Sequence, residues 1–253
     1  MSEFKYRRNI KLPKDASGKH CCIFYSCKCG CSTLKNFAVM NFYQEEHRKS
    51  GQNIWAFFDN PQSKDYVFDI FSDEEINNKE FKDAFKILVV RDPVDRLISF
   101  YKNKVCDDLY NEYYDEKKNV CYFRDCSFKE MVDRLYELVC KKGVKINEIG
   151  NVHLISQRYG IENIKIDLIL RMEEMSKLTG LLNEKYDRKL KDSWVIGKSG
   201  VMNKNKWDKN VYYYEQKCWY FRDGKGKYMF PDHSFFLNDN IKKKIKMIFV
   251  DDY

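Results

Sequence analysis

The chain has 253 residues, of which 43% are hydrophobic and 33% are charged, proportions that exclude a largely disordered protein. A formal net charge of +8 favours anionic partners such as phosphate, sulfate or acidic polymers, without requiring nucleic acid. The sequence shows no apolar leader and no uncharged apolar run long enough to span a bilayer, so we expect a cytoplasmic protein without a membrane segment.

A cysteine-rich segment, "CCIFYSCKCGCSTLK", occupies residues 21–35. Cys27, Cys29 and Cys31 alternate along it, whereas zinc sites usually draw their ligands from C-x-x-C pairs. We therefore expect no metal site here. The chain has ten cysteines but no export signal, which favours reduced thiols over a disulfide framework.

The same segment predicts a strand, a turn and a helix. The apolar run from Cys21 to Tyr25 is typical of a buried strand, and the helical spacing of apolar residues in "STLKNFAVMNFY" predicts an amphipathic helix. The turn between them suits an anion: Lys28 adds a charge and Gly30 allows close approach of the backbone. It lacks the Walker pattern of nucleotide triphosphatases. A helix capped by Ser32 with solvated lysines is the alternative that this segment alone leaves open.

The segment "FKILVVRDPVDRLISFYKNKV", residues 85–105, repeats this plan. Asp92 is placed to cap the helix and Pro93 fits its first position. Apolar residues recur at helical spacing and define a core face, formed by Val94, Leu97, Ile98, Tyr101 and Val105. Arg96, Ser99 and Lys102 are predicted to share the opposite face. Two such units in an open α/β sheet predict a ligand with two separated anionic groups.

Both motifs carry a resemblance to a known family. "KCGCSTLK" is similar to the 5′-phosphosulfate loop of sulfotransferases, and "VVRDPVDRLISFYKNK" is similar to their 3′-phosphate motif. The later segment "NVHLISQRYGIENIKIDLILRMEEMSKL" and the end "IFVDDY" most resemble the carbohydrate sulfotransferases, which include the chondroitin and HNK-1 enzymes. The resemblance covers roughly residues 20–180 in good register, with Cys27 in place of the usual proline and Ser32 in place of the commoner threonine.

The resemblance implies an α/β fold in three layers, P-loop-like, with a central parallel sheet flanked by helices. No linker or repeat divides the chain, so we expect one domain over residues 1–253, with a donor-binding core at about 20–180 and an acceptor-side capping region at about 181–253. The implied donor is 3′-phosphoadenosine-5′-phosphosulfate (PAPS), and the implied acceptor is a carbohydrate or another hydroxyl compound. Family members of this kind are Golgi membrane proteins, whereas this chain shows no membrane segment.

The resemblance also implies roles for individual residues. Those expected around the 5′-phosphosulfate are Lys28, Gly30, Cys31, Ser32, Thr33 and Leu34. Arg91 and Ser99 are expected to hold the 3′-phosphate.

Sulfuryl transfer needs a cation near the leaving oxygen and a base for the acceptor hydroxyl. We assign the first role to Lys28 and the second to His153, the histidine of the H-x-x-x-Q segment, because an imidazole titrates near neutral pH. His153 has two other interpretations, a hydrogen bond to Gln157 one helical turn on or a place in the nucleotide pocket. Glu45, Glu46 and His47 are fallback bases.

Two other functions remain open at the level of sequence. A nucleotide-dependent kinase is disfavoured by the missing Walker pattern and by the lack of an obvious pair of metal-binding carboxylates. A non-catalytic basic module that binds acidic glycan or nucleic acid is the other alternative. The sequence does not identify the acceptor, because acceptor pockets are built from loops.

Overall fold

The computed structural model describes residues 9–59, 65–68, 73–106, 123, 126–149, 151, 153–192, 213–217, 221 and 229–252. The chain divides into two compact units: unit 1 comprises residues 1–91 and 157–197, and unit 2 comprises residues 92–156 and 198–253. Much of the predicted acceptor-side region, including residues 193–212, lies outside the described residues. Within these ranges no helix is long and apolar enough to cross a membrane.

Four strands form one sheet in unit 1. They are β1 (Asn9–Lys14), β2 (His20–Tyr25), β3 (Phe85–Val90) and β4 (Leu168–Arg171). The spatial order is β1-β2-β3-β4, with β2, β3 and β4 parallel and β1 antiparallel to β2. The two strands predicted from apolar runs, β2 and β3, are therefore neighbours.

The sheet is mixed rather than all parallel, which corrects the expected central parallel sheet. The antiparallel member, β1, lies at an edge and pairs with β2 through a short connection. Pro13 has no N–H to donate, and the register of β1 shifts between Leu12 and Lys14, where Pro13 lies. An edge position tolerates this interruption because only one side of the strand needs a partner.

The helices are, in chain order, α1 (Cys31–Phe42), α2 (Gln44–Ser50), α3 (Ile54–Asp59), α4 (Asp73–Asn77), α5 (Lys79–Asp83), α6 (Pro93–Phe100), α7 (Phe128–Tyr136), α8 (Met175–Tyr186) and α9 (Asp239–Ile248). Single π-helical turns extend α6 and α7 over Tyr101–Val105 and Glu137–Lys141. Short 3₁₀ turns lie at Ile146–Glu148, Met172–Glu174, His233–Phe236 and Val250–Asp252.

Both faces of the sheet are covered within unit 1. Alternate residues of β2 enter two different apolar clusters: Ile23 packs with side chains of α1, α3 and α8, while Phe24 packs with Phe68 and with Phe81 of α5. A parallel strand buried on both faces must be apolar throughout, which explains the continuous run "CCIFY". Unit 1 is therefore an α/β structure with its sheet in the middle.

Unit 2 has its own apolar core, built from α6, α7 and α9. The five residues predicted for the core face of α6 and its extension are all buried, at 9% exposure or less. Arg96 departs from the prediction: it lies in the interior of unit 2 with 2% exposure and not on an open polar face with Ser99 and Lys102.

The buried Arg96 is satisfied by a carboxylate and by backbone carbonyls. Its guanidinium donates to Asp252 Oδ2 at 2.8 Å, to the carbonyl of His153 at 3.2 Å and to the carbonyl of Ile155. Asp252 Oδ1 accepts from the Ser156 hydroxyl at 2.8 Å. A buried charge is tolerated only when it is paired and hydrogen-bonded. Asp252 therefore serves as the counterion of the buried Arg96.

We predict that Asp252→Ala lowers the free energy of unfolding by about 3–5 kcal/mol, because it leaves the Arg96 guanidinium buried without a counterion. The control is Lys49→Ala, which breaks an ion pair with Glu45 in which both side chains are 73% exposed. That change is expected to stay within about 0.5 kcal/mol. Urea denaturation of both variants measures the difference, and equal small losses would contradict the role given to Asp252.

Candidate functional site

The turn that follows β2 holds two residues in the left-handed backbone region. Lys28 has a φ of 67° and Gly30 has a φ of 76°. Glycine adopts this region at little cost, whereas a residue with a Cβ is strained there. Non-glycine residues held in this way are concentrated at functional sites. The turn is therefore the first candidate for a ligand-binding loop.

Helix α1 begins directly after this turn without a capping side chain. Its N-cap residue is Gly30, and its first turn carries no acidic residue. Ser32 lies inside the helix and does not cap it, so the helix cap proposed in the alternative interpretation is not formed by Ser32. The first N–H groups of a helix have no acceptor within the helix and attract anions together with the helix dipole. The start of α1 therefore has the features of an anion site.

The remaining predicted residues of this loop differ in exposure. Cys31 and Thr33 are half-buried and Ser32 is exposed, so all three lie at the accessible start of α1. Leu34 is completely buried, and its backbone N–H donates to the carbonyl of Gly30 at 2.8 Å. Leu34 therefore supports the loop from the core of unit 1.

Arg91 follows β3 at the same edge of the sheet. Its Nη1 donates to the carbonyl of Lys28 at 3.1 Å, which joins the two predicted cationic residues. Its Nε is buried and has no hydrogen-bond partner among the described residues. A buried guanidinium N–H without an acceptor is costly, so it is a position where an anion or a water is expected.

The second helix start differs from the first. Asp92 caps α6, accepting from the N–H of Val94 at 2.8 Å, and Pro93 lies at the beginning of the helix, both as predicted. Asp95 adds a second carboxylate to the first turn. The start of α6 is thus neutralised by its own chain and is unsuited to an external anion, whereas Ser99 is half-buried further along the helix.

His153 lies in unit 2, in a non-helical segment, so the expected helical turn from His153 to Gln157 is not present. Its backbone N–H donates to Asn151 Oδ1 at 3.0 Å, and its Nδ1 lies 3.2 Å from the same oxygen. The Asn151 oxygen accepts the backbone N–H, so it is an acceptor for the ring as well, and Nδ1 of His153 carries the proton of this contact. The neutral ring then has its basic lone pair on Nε2. The ring stacks on Phe100 with centroids 6.0 Å apart.

A second histidine of unit 2 has a comparable arrangement and was not singled out by the sequence. His233 Nδ1 lies 2.8 Å from Asp95 Oδ1, on the first turn of α6. Lys102, in the π-helical turn that extends α6, donates to the carbonyl of Pro231 at 2.9 Å. The segment around His233 thus contacts α6 before Ser99 and its π-helical extension after Ser99. No local pattern could have revealed this contact, because it joins residues far apart in sequence.

The fallback bases lie on the short helix α2. Glu45 and Glu46 are exposed, and Glu45 pairs with Lys49 at 3.8 Å. His47 packs its ring edge-on against Phe57 at 5.3 Å, and its Nε2 is buried without a partner within the described part of the chain. His47 thus differs from His153 and His233, whose rings contact Asn151 and Asp95 through Nδ1.

Six of the eight described cysteines are buried, and Cys31 and Cys140 are half-buried. None of the eight cysteines within the described ranges forms a disulfide, and no group of three metal-binding side chains occurs there. Burial raises the pKa of Cys21 to about 12 and holds the pKa of Cys22 well above its usual value. Both thiols of β2 therefore stay protonated at neutral pH.

A family model described as the sulfotransferase family matches residues 20–194, which is more than half of the chain. The match includes the turn after β2, Arg91, α6 and His153. Comparisons with curated proteins and with solved structures gave no significant match. The chain therefore belongs to the sulfotransferase family, whose reaction moves a sulfuryl group to a hydroxyl-bearing acceptor.

Proposed function

We propose that the protein transfers a sulfuryl group from PAPS to a hydroxyl of a carbohydrate. The observation that carries this proposal is the uncapped start of α1 beside Lys28 and Arg91, whose Nε is buried without an acceptor among the described residues. These features suit a phosphate or sulfate group in chemistry and in charge. The carbohydrate acceptor rests on the resemblance of the motifs to the carbohydrate sulfotransferases.

In this proposal each of the two motifs binds a different anionic group of the donor. The 5′-phosphosulfate binds the loop and the start of α1, through Lys28, Gly30, Cys31, Ser32, Thr33 and the buttressing Leu34. The 3′-phosphate binds Arg91 and Ser99. The role of Ser99 rests on the resemblance to the 3′-phosphate motif. No metal ion is part of the proposal.

The reaction forms a bond from the acceptor oxygen to sulfur and breaks the bond from sulfur to the phosphate oxygen of the donor. Lys28 neutralises the charge that grows on this leaving oxygen. His153 accepts the acceptor's proton at Nε2, the nitrogen that its contact with Asn151 leaves basic.

Donor binding is the first test of the proposal. Ligands that bind only the folded protein raise its melting temperature. We expect a shift with adenosine 3′,5′-bisphosphate and none with ATP. A shift with ATP alone would favour a kinase, and no shift with either would favour a non-catalytic module. A screen of donor-dependent sulfate transfer across glycans and small alcohols then tests the acceptor class.

We predict that Lys28→Ala and Arg91→Ala act on different steps. Lys28→Ala should lower kcat by about 10²–10³, because the lost cation acts mainly on charge in the transition state. Arg91→Ala should instead weaken the binding of adenosine 3′,5′-bisphosphate by about 1.5–3 kcal/mol, with a smaller loss for Ser99→Ala. Calorimetric titration and steady-state kinetics separate the two effects. Normal turnover in a folded Lys28→Ala variant would refute the role of Lys28 at the leaving oxygen.

We predict that Gly30→Ala weakens the binding of adenosine 3′,5′-bisphosphate about tenfold, since a moved loop loses at least one charge-assisted hydrogen bond. A Cβ at Gly30 would lie 3.4 Å from Met172 and would strain the backbone at φ +76°. The matched control is Gly18→Ala, with φ +78° and no atom within 4 Å of the added Cβ. Both should lose similar stability, and equal affinities in the two variants would exclude Gly30 from the site.

We predict that His153→Ala keeps its affinity for adenosine 3′,5′-bisphosphate but loses about 10²–10⁴-fold in kcat, the usual range for loss of a general base. Weaker nucleotide binding with a mild rate loss would instead indicate a nucleotide-pocket role. His233→Ala serves as the comparison, because its ring is also held through Nδ1. Full activity in His153→Ala with a large loss in His233→Ala would assign the role of general base to His233 instead.

A further inference from the structure

Gln157 makes a two-point contact with the backbone of Arg91. Its Oε1 accepts from the Arg91 N–H at 2.8 Å and its Nε2 donates to the Arg91 carbonyl at 2.9 Å. A backbone N–H only donates and a carbonyl only accepts, so both ends of the amide are fixed in orientation. The side chain is 3% exposed and belongs to unit 1, as Arg91 does.

Cys29 binds the same amide. Its Sγ lies 2.9 Å from Gln157 Oε1, and because this oxygen is an acceptor, the thiol is the donor. The Ser26 hydroxyl lies 3.0 Å from the same sulfur and donates to the carbonyl of Cys27 at 3.4 Å. Cys29 is fully buried, so its contact with Gln157 is shielded from water.

These contacts close a ring. Lys28 and Cys29 are adjacent in the turn, Cys29 binds Gln157, Gln157 binds Arg91, and Arg91 Nη1 binds the carbonyl of Lys28. The ring joins the ends of β2 and β3 through one amide. It also holds Lys28, whose left-handed backbone would relax if the turn were released.

We propose that Gln157 is a positioning residue for the donor-binding cations Lys28 and Arg91, and that the Cys29 thiol assists it. This inference rests on the proposed function. Gln157 is not proposed to touch the donor. It fixes the backbone of Arg91, and through Arg91 and Cys29 it sets where both cations are presented. Loss of the amide should therefore weaken donor binding and slow turnover together.

The chain offers a matched control for the structural part of this role. Asn9 makes the same two-point contact with another backbone: its Oδ1 accepts from the Phe68 N–H at 2.8 Å and its Nδ2 donates to the Phe68 carbonyl at 3.0 Å. Asn9 is also fully buried in unit 1. Phe68 belongs to neither of the two predicted phosphate motifs. Asn9→Ala thus removes an equivalent contact without altering the ring.

The test compares Gln157→Ala with Asn9→Ala, by calorimetric titration with adenosine 3′,5′-bisphosphate, by kcat, and by urea denaturation. We expect Gln157→Ala to raise Kd about tenfold and to lower kcat, and Asn9→Ala to leave both within about twofold at a similar loss of stability. Cys29→Ser, which keeps a donor, should retain more affinity than Cys29→Ala.

The outcomes of this test distinguish failure of the inference from failure of the proposed function. Equal affinities in Gln157→Ala and Asn9→Ala, with normal binding by the wild type, would overturn the inference and leave the proposed function intact. No binding by the wild type would refute the proposed function, and the inference with it. If Gln157→Ala does not fold, the Cys29 pair decides: equal affinities in Cys29→Ser and Cys29→Ala would overturn the role of the ring.

Discussion

Parallel pairing of β2 with β3 is the constraint on which the candidate site depends. The register runs from Cys21 opposite Phe85 to Tyr25 opposite Val89, so both strands end at the same edge of the sheet. Parallel strands need a long crossover, and α1 to α5 occupy the chain between them. The turn at Lys28 and the residue Arg91 therefore become neighbours although they are remote in sequence, as their hydrogen bond shows.

The two helices that follow these strands, α1 and α6, differ in the charge at their N-termini. Helix α6 carries its own anions at its start, in Asp92 and Asp95, whereas α1 has a glycine cap and no carboxylate in its first turn. A sequence that neutralises the start of α6 and leaves the start of α1 positive favours an anion at the start of α1 over one at the start of α6. The modest positive charge of the whole chain attracts anions without specifying a position, whereas the start of α1 beside Lys28 provides a local anion site.

Local patterns predicted the parts of the fold that depend on local physics. The apolar runs indicated β2 and β3, and helical spacing indicated α1 and the core face of α6, because burial imposes these periods directly on the sequence. The antiparallel β1 was missed, since its six residues contain two lysines and a proline. Arg96 was assigned to an open face because its counterion, Asp252, lies at the other end of the chain.

The residues of the candidate site also fall into those that local motifs indicate and those whose contacts depend on tertiary structure. The loop, Arg91 and His153 could be identified from motifs, and Gln157 was visible as the end of an H-x-x-x-Q segment, but its contact with Arg91 depends on tertiary structure. The contact between His233 and Asp95 had no signal in the sequence at all. The predicted domain boundary near residue 180 and the roles of the site residues stay predictions.

The left-handed conformation of Lys28 has a consequence for how this loop can evolve. A lysine in this conformation costs roughly 1–2 kcal/mol relative to glycine. A chain selected only for thermal stability would therefore drift towards glycine at position 28 and lose its cation. Stability and charge are opposed at this single residue, so the lysine persists only where selection for its ammonium group outweighs the strain of its backbone.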